Sequence, residues 1–405
     1  MKILVLAGGA DQIALIKELY RRGHDVILLD YLENPPAKAL VKHHIQESTL
    51  DTEKVKEWAL AEKVDLICTA CTDQALLTVA KVSEELNLPC YISYDKALAV
   101  TNKRYMKTRM IETGIPTSKF LTISSISEFD NIKALSFPLV VKPADCNSSK
   151  GVIKVNDIKE CETYVSNALN LSRTSTAIVE EFKSGDEISA DFYIDGERPV
   201  FLSASASVKI KGTKGFTITG SNYPVITDKQ IKDLEKIALM ISQGFNLTDT
   251  PLLIQLIKSD NDFYVIEFSA RMGGGSKYKL IQEISGVNIM SCYVDLILGE
   301  KPLINPIQSD KQIRMLYIYT HPGIVKEIHG LDILCDDGVV KDSFLYKTLG
   351  SEITKAETSG DRVMGLMVTA ETPAEMTQKV NRINSTLAII DTNGNDIMMH
   401  NLLME

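Results

Sequence analysis

The sequence predicts a parallel α/β domain followed by α+β units, and three features carry that prediction. Apolar runs alternate with helix-period segments over the first hundred or so residues, the later apolar runs pair as hairpins, and turn residues mark each change. "KILVLA", residues 2 to 7, reads as a buried strand; Gly8 and Gly9 turn the chain, and "DQIALIKELYRRG" has helical spacing closed by Gly23. Strand "DVILLD", helix "DTEKVKEWALAEK", strand "VDLICTA", helix "DQALLTVAKVSEELN" and strand "PCYI" continue the alternation, hence a parallel sheet covered on both faces. One helix is expected through "SYDKALAVTNKRYMKTRMIETG", up to the break at Pro116. Strands "PLVVKPA", "GVIKVN" and "TAIVEEF" with helix "DIKECETYVSNAL" read as a small antiparallel α+β unit. Long strands follow in "EISADFYIDGERPVFLSASASV", turning at Asp195-Gly196. A helix "DKQIKDLEKIALMISQGFN", a hairpin "TPLLIQLIKSDNDFYVIEFSA" turning near Asn261, and one helix from about 277 to 299 complete that unit. After Pro302 and Pro306 come several strands and the helix "TPAEMTQKVNRINSTL". The expected divisions are 1–95 (α/β substrate domain), 96–114 (helical linker), 115–185 (small α+β subdomain with a lid), 186–305 (large subdomain with a metal site) and 306–405 (C-terminal α+β domain).

Composition narrows the function. A net charge of −9 without a basic block argues against a nucleic-acid partner. Seven cysteines, an odd number without scaffold spacing, suggest a reducing compartment. The N-terminal apolar run is too short for a signal peptide, and no stretch approaches the roughly 18 apolar residues of a membrane span. A cytoplasmic location is expected. Cys68 and Cys71 form a C-x-x-C at the end of an apolar strand, without a second pair or nearby histidine; structural thiols are the better reading. His43 and His44 lack a third ligand and read as a solvated pair. Gly8-Gly9-Ala10, with Asp30 ending the second strand, invites a dinucleotide reading but is not G-x-G-x-x-G; a turn lining a substrate cleft fits better.

Three groups of residues carry chemistry. Lys142 points from the strand "LVVKP" into partly apolar space, where an ammonium is costly unless an anion meets it. Ser148, Ser149, Lys150 and Gly151 offer backbone N–H groups, hydroxyls and a flexible glycine that can close over phosphates. In "VEEFKSGDE", Glu180, Glu181 and Phe182 end a strand where an adenine can meet the backbone, and Glu187 can accept ribose hydroxyls. In the hairpin around Asn261, Gln255 and Glu267 lie on adjacent strands facing one side, Ser269 and Arg271 extending that row by the period of two. Such oxygen ligands suit Mg²⁺ that also touches phosphate, and Arg271 can neutralise a transferring phosphoryl group.

With "TNKRYMK", "VVKP", "NSSKGV", "VEEF" followed by Glu187, and "VIEFSARMGGG" in this order, roughly residues 1 to 305 resemble the ATP-grasp superfamily. The resemblance implies an N-terminal pre-ATP-grasp domain and an ATP-grasp fold of two α+β subdomains holding ATP between them. It also implies Mg²⁺ or Mn²⁺, and activation of a carboxylate as an acyl phosphate that an amine then attacks. By position, Lys103 and Lys142 match the phosphate-contacting lysines, and Ser148 to Gly151 the lid. Glu180 and Phe182, with Glu181 sharing the role, match the adenine hinge, and Glu187 the ribose carboxylate. Glu267 matches the metal-bridging glutamate and Arg271 the arginine at the reacting phosphate, with Lys142 beside it. Gln255 stands where many members have Glu, as in carbamoyl-phosphate-synthetase-like members, and Ser269 where most have Asn. The last hundred residues, with "THPGIVKEIHGLDIL" and "DRVMGLMVTAETPAEMTQKVNRI", resemble the C-terminal domain of L-amino acid ligases. The expectation is a carboxylate–amine ligase acting on small carboxylates and amines, amino acids among them, releasing ADP and phosphate; a homodimer is expected by resemblance. A carboxylase of purine-biosynthesis type and a non-catalytic nucleotide-binding protein are the alternatives.

Overall fold

The computed structural model describes residues 1–146, 149–210, 216–260 and 262–403. The chain opens with β1 (Lys2–Leu6), α1 (Ala10–Arg21), β2 (Asp25–Asp30), β3 (His43–Gln46), α2 (Thr52–Glu62), β4 (Leu66–Cys68) and α3 (Asp73–Leu86). The four strands form a parallel sheet in the order β3-β2-β1-β4. β1 is apolar throughout because both its faces are covered: Ile3 and Val5 pack with Leu15 and Leu19 of α1, while Leu4 and Leu6 pack with Val55 and Val79 of α2 and α3. Two strand assignments differ from expectation: β3, which carries His43 and His44, was not among the expected strands, and "PCYI" forms none. Pro89 has no N–H to offer a sheet, and Tyr91 is held elsewhere, its hydroxyl donating to Ala270 O at 2.9 Å and its ring edge-on to Tyr293. Asp30 is occupied by backbone, accepting from Gly8 N at 2.6 Å and Leu32 N at 2.7 Å.

The expected single helix of 96–114 is two, α4 (Tyr94–Thr101) and α5 (Lys103–Glu112). Asn102 is extended and caps α5, its side chain accepting from Arg104 N at 3.0 Å, while Lys103 N donates to Ala144 O at 2.9 Å. Then β5 (Phe120–Ile123), β6 (Leu139–Pro143), β7 (Ile153–Val155), α6 (Ile158–Leu171) and β8 (Ala177–Glu181) build an antiparallel sheet ordered β5-β8-β6-β7. Leu139, Val141 and Val179 pack on Cys161 and Val165 of α6. Alternation sends Val140, Lys142 and Glu180 to the other face.

β9 (Asp186–Asp195), β10 (Arg198–Lys209), β11 (Ile218–Tyr223), α7 (Asp228–Phe245), β12 (Thr250–Ser259) and β13 (Asp262–Ser269) follow. Next come α8 (Lys277–Ser285) and α9 (Ile289–Ile297), two helices where one was expected, because Gly286 ends α8 at φ +71°. The chain closes with β14 (Gln312–Ile318), β15 (Gly323–His329), α10 (Leu331–Asp336), β16 (Asp342–Leu345), β17 (Glu352–Ile353), β18 (Met364–Ala370), α11 (Pro373–Thr386) and β19 (Ala388–Asp391). An eight-stranded antiparallel sheet runs β13-β12-β9-β10-β11-β14-β18-β16, so β14, β18 and β16 continue the sheet begun at residue 186; β17-β15-β19 form a small separate sheet. One face of the large sheet is the main core: Ile188, Ala190, Phe192, Ile254, Leu256 and Phe268 meet Leu234 and Ile241 of α7. No helix among the described residues is long and apolar enough to cross a membrane.

Gly185, just before β9, sits at φ +142°, and a Cβ there would stand 2.1 Å from Lys258 O of β12. Both strain and clash fall on backbone that cannot yield. Gly185→Ala is expected to cost about 2–4 kcal/mol, read as a lowered urea midpoint.

Candidate functional site

A cavity of about 300 Å³ lies between the small antiparallel sheet and the polar face of the large one. Its size falls at the lower end of small-molecule sites. The small sheet and the segment after it contribute Lys142, Glu180, Glu181 and Phe182; the large sheet contributes Glu187, Gln255 and Glu267; Lys103 enters from α5 and Ser149 from the loop after β6.

At one wall the Glu180 carboxylate stands between two ammoniums, 2.5 Å from Lys142 Nζ and 2.6 Å from Lys107 Nζ, all three side chains under a tenth exposed. Burial alone would raise the Glu180 carboxyl, but Lys107 and Lys142 hold it down at about 2. Burial lowers Lys107 to about 8 against the pull of Glu180, and the neighbouring charge of Lys142 adds to the depression. Lys142 and Glu180 line the cavity, and Lys107 supports Glu180 from behind, donating also to Thr117 Oγ1 at 2.6 Å.

The opposite wall is set by strand register. Gln255 of β12 pairs with Glu267 of β13, Leu253 with Ser269, and a bulge follows Gln255. Lys103 Nζ lies 3.0 Å from Glu267 Oε2 and donates to Cys146 O at 2.9 Å. One step further, Arg271 Nε donates to Asp73 Oδ1 at 2.6 Å, its Nη2 donates to Asp73 Oδ2, and Ser269 Oγ also donates to Oδ1. Burial opposes ionisation of Asp73, yet Arg271 keeps its carboxyl below the usual range. Asp73 opens α3 just past the C-terminal end of β4, so it ties the parallel sheet to the large one.

Other expected residues are placed differently. Ser148 lies outside the described residues. Lys150 is exposed, and Gly151, at φ +73°, faces Leu171 and Pro143, away from the cavity. The Glu181 carboxylate accepts from Ser136 N at 3.1 Å, on the sheet side opposite Glu180. Glu187 is 2.6 Å from Lys209 Nζ, and Lys154 Nζ caps the Phe182 ring at 3.8 Å. Lys107, Asp73 and Lys209 were not anticipated. Lys107 was within reach of a sequence argument, because it follows Lys103 by four residues on one helix face.

Beyond Arg271, the segment 272–276 meets the parallel domain. Asp11, in the first turn of α1, accepts from Gly275 N at 3.2 Å and Ser276 N at 2.8 Å. Arg362 is 7% exposed, lies 3.5 Å over the Tyr317 ring, donates to Ser359 Oγ at 3.0 Å and joins no carboxylate within 4 Å among the described residues. Gly275 is required there: a Cβ would meet Arg362 Nη1 at 2.7 Å and Tyr317 Oη at 2.8 Å. Cys71 borders this region, its thiol pushed well up by burial, which makes it a poor nucleophile.

The donor set bears on metal binding. The described residues hold no group of three or more His, Cys, Asp or Glu suited to an ion. Glu267, a third exposed, and the Gln255 amide supply oxygens for Mg²⁺ only if phosphate and water supply the remainder. The residues fit an ion that arrives with a phosphate ligand.

Glu180→Gln leaves two buried ammoniums facing a neutral amide, so a loss of about 3–5 kcal/mol is expected. Because Glu180 is held near 2 instead of the ordinary 4.5, its contribution is present above pH about 4.5 and fades as pH falls toward about 2. Acid unfolding of the variant, followed by circular dichroism, should lack that segment of the wild-type pH dependence.

The chain is similar to known proteins in sequence and in fold. Residues 101–275 match the family model described as phosphoribosylglycinamide synthetase, ATP-grasp (A) domain. The chain is 26% identical over 335 residues to the phosphoribosylamine–glycine ligase of Methanosarcina barkeri, covering 75% of each protein. It is 26% identical over 229 residues to the L-arginine-specific L-amino acid ligase of Bacillus subtilis, covering 53% of this chain and 54% of that relative. The crystal structure of an L-amino acid ligase from Bacillus licheniformis shares the fold, with a TM-score of 0.80 over 97% of this chain and 99% of that one at 21% identity. Lys103, Lys142, Phe182, Glu187, Gln255 and Glu267 meet in one cavity on that fold, and all of them lie within residues 101–275, the segment that matches the ATP-grasp domain model.

Proposed function

We propose that the protein is an ATP-dependent carboxylate–amine ligase that forms an amide through an acyl phosphate, releasing ADP and phosphate. The observation that carries this reading is the single cavity joining Lys103 and Lys142 to Glu267 and Gln255, with Arg271 one step beyond. Lys142 and Lys107 offset phosphate charge while Glu180 keeps them from repelling each other. Phe182 and the backbone after β8 suit adenine, and Glu187 suits the ribose hydroxyls once released from Lys209. Mg²⁺, when bound through Glu267 and Gln255, would neutralise the phosphoryl oxygens. Arg271, held in a fixed plane by Asp73, steadies the charge that develops on the transferring group. In this reading the amine attacks the acyl phosphate directly, and no side chain is required as a covalent nucleophile. Arg362, buried without a carboxylate partner among the described residues, favours an amine substrate that carries an anionic group. A carboxylate or a sugar phosphate would satisfy it, and the latter is the second reading.

The test is phosphate release with ATP, Mg²⁺ and pools of amino acids, small carboxylates and phosphoribosyl amines. Dependence on one carboxylate and one amine is expected. Glu267→Ala should lower the rate about 100-fold or more without lowering the melting temperature; full activity would overturn the metal assignment. Asp73→Asn should cut kcat about tenfold or more at unchanged KM for ATP, because Arg271 loses its orienting partner.

A further inference from the structure

Two buried groups of opposite charge, beside the polar face of the large sheet, are left without ion-pair partners among the described residues. Asp191 of β9 is 3% exposed; one oxygen accepts from Ser203 Oγ at 2.9 Å, and the other, Oδ1, has no hydrogen-bond partner. Lys277, the first residue of α8, is 8% exposed and joins no ion pair within 4 Å among the described residues.

They are neighbours. In the large sheet Asp191 pairs with Leu253, Leu253 lies 3.6 Å from the Cβ position of Gly273, and Lys277 Cδ lies 2.8 Å from that same position. The two are close enough to feel each other, and Arg271 also faces Asp191. Yet they are held beyond contact. Buried charges of opposite sign normally close into an ion pair, since each alone carries a desolvation cost of several kcal/mol. A ligand that carries both charges would bridge the gap and satisfy the two groups at once.

Asp191 also sits at a telling height on the sheet. Ser189, two residues earlier on the same face, pairs with Gln255, which pairs with Glu267. Asp191 is therefore one side-chain row, roughly 7 Å by strand geometry, beyond the carboxylate row. A group bound there lies next to the reacting centre.

Resting on the ligase reading, we propose that Asp191 and Lys277 receive the two charges of a zwitterionic α-amino acid, the ammonium on Asp191 Oδ1 and the carboxylate beside Lys277. The substrate activated is then an α-amino acid with a free amino group, in preference to a simple carboxylic acid. Asp191 and Lys277 are binding residues in this assignment and take no part in bond making.

Hydroxylamine as the nucleophile removes the unknown amine from the test, because it traps any acyl phosphate as a hydroxamate. With ATP and Mg²⁺, a pool of L-amino acids is expected to give hydroxamate, and a matched pool of 2-hydroxy acids at least about tenfold less. Asp191→Asn should raise KM for the amino acids about tenfold or more at unchanged KM for ATP, and Asp191→Glu should recover part of that loss. Lys277→Met should act in the same direction and carries the test should Asp191→Asn fail to fold, which loss of the ATP-induced rise in melting temperature would reveal. Equal hydroxamate from both pools, or an unchanged amino-acid KM in both variants, overturns this inference and leaves the ligase reading standing. Hydroxamate from neither pool overturns both.

Discussion

The site depends on strand register in β9, β12 and β13. Ile188, Ala190, Ile254, Leu256 and Phe268 are buried against α7, so the alternate residues Glu187, Ser189, Asp191, Gln255, Glu267 and Ser269 lie on the opposite, polar face, where Glu187, Gln255 and Glu267 line the cavity. A slip by one residue would drive carboxylates into the core and expose the aliphatic face, which is why the register is strongly specified. Phe268 adds a lock, its ring edge-on to Phe245 of α7 at 4.7 Å between centroids. The residues that place the polar row are thus apolar and lie on the other side of the sheet.

Among the described residues, each lysine lining the main cavity has an anion within 4 Å, but the pairs differ in kind. Lys142, Lys107 and Glu180 are nearly sealed from water, and their geometry is that of a permanent element. In the Lys103–Glu267 pair the glutamate is 33% exposed, and in Glu187–Lys209 the lysine is 25% exposed. Partly solvated pairs contribute little to stability and can exchange partners at small cost. Lys103 can turn to phosphate and Glu267 to a cation without leaving a buried charge uncompensated. Arg271–Asp73 is buried and doubly bonded, so it acts as a fixed support between the two large units.

Much of this was legible in the sequence. Period-two alternation located Gln255, Glu267, Ser269 and Arg271 on one side, because it depends only on strand geometry. Helix breaks were less legible: Asn102 and Gly286 interrupt patterns whose apolar spacing continues across them. The failure at "PCYI" has a tertiary cause, since nothing local reveals that Tyr91 is held by Ala270 O. Asp73, Asp191 and Arg362 escaped for a related reason. Each is enclosed by residues far away in the chain, and a lone acid or arginine in a strand or helix pattern looks like a surface charge until that enclosure is known.

The weak metal set is consistent with this division of labour. With Gln in place of a second carboxylate, the row opposite the lysines carries one negative charge, and in the free protein Lys103 balances it. A divalent ion alone would have to displace Lys103 and would gain a single carboxylate in return. An ion already bound to a polyphosphate brings its own anionic oxygens, and those oxygens offer Lys103 and Lys142 new partners at the same moment. Under the proposed function, nucleotide and metal would be thermodynamically linked at this site, each removing the electrostatic obstacle to the other. Substitution of Gln255 by a carboxylate would loosen that linkage, since the ion could then bind before the nucleotide.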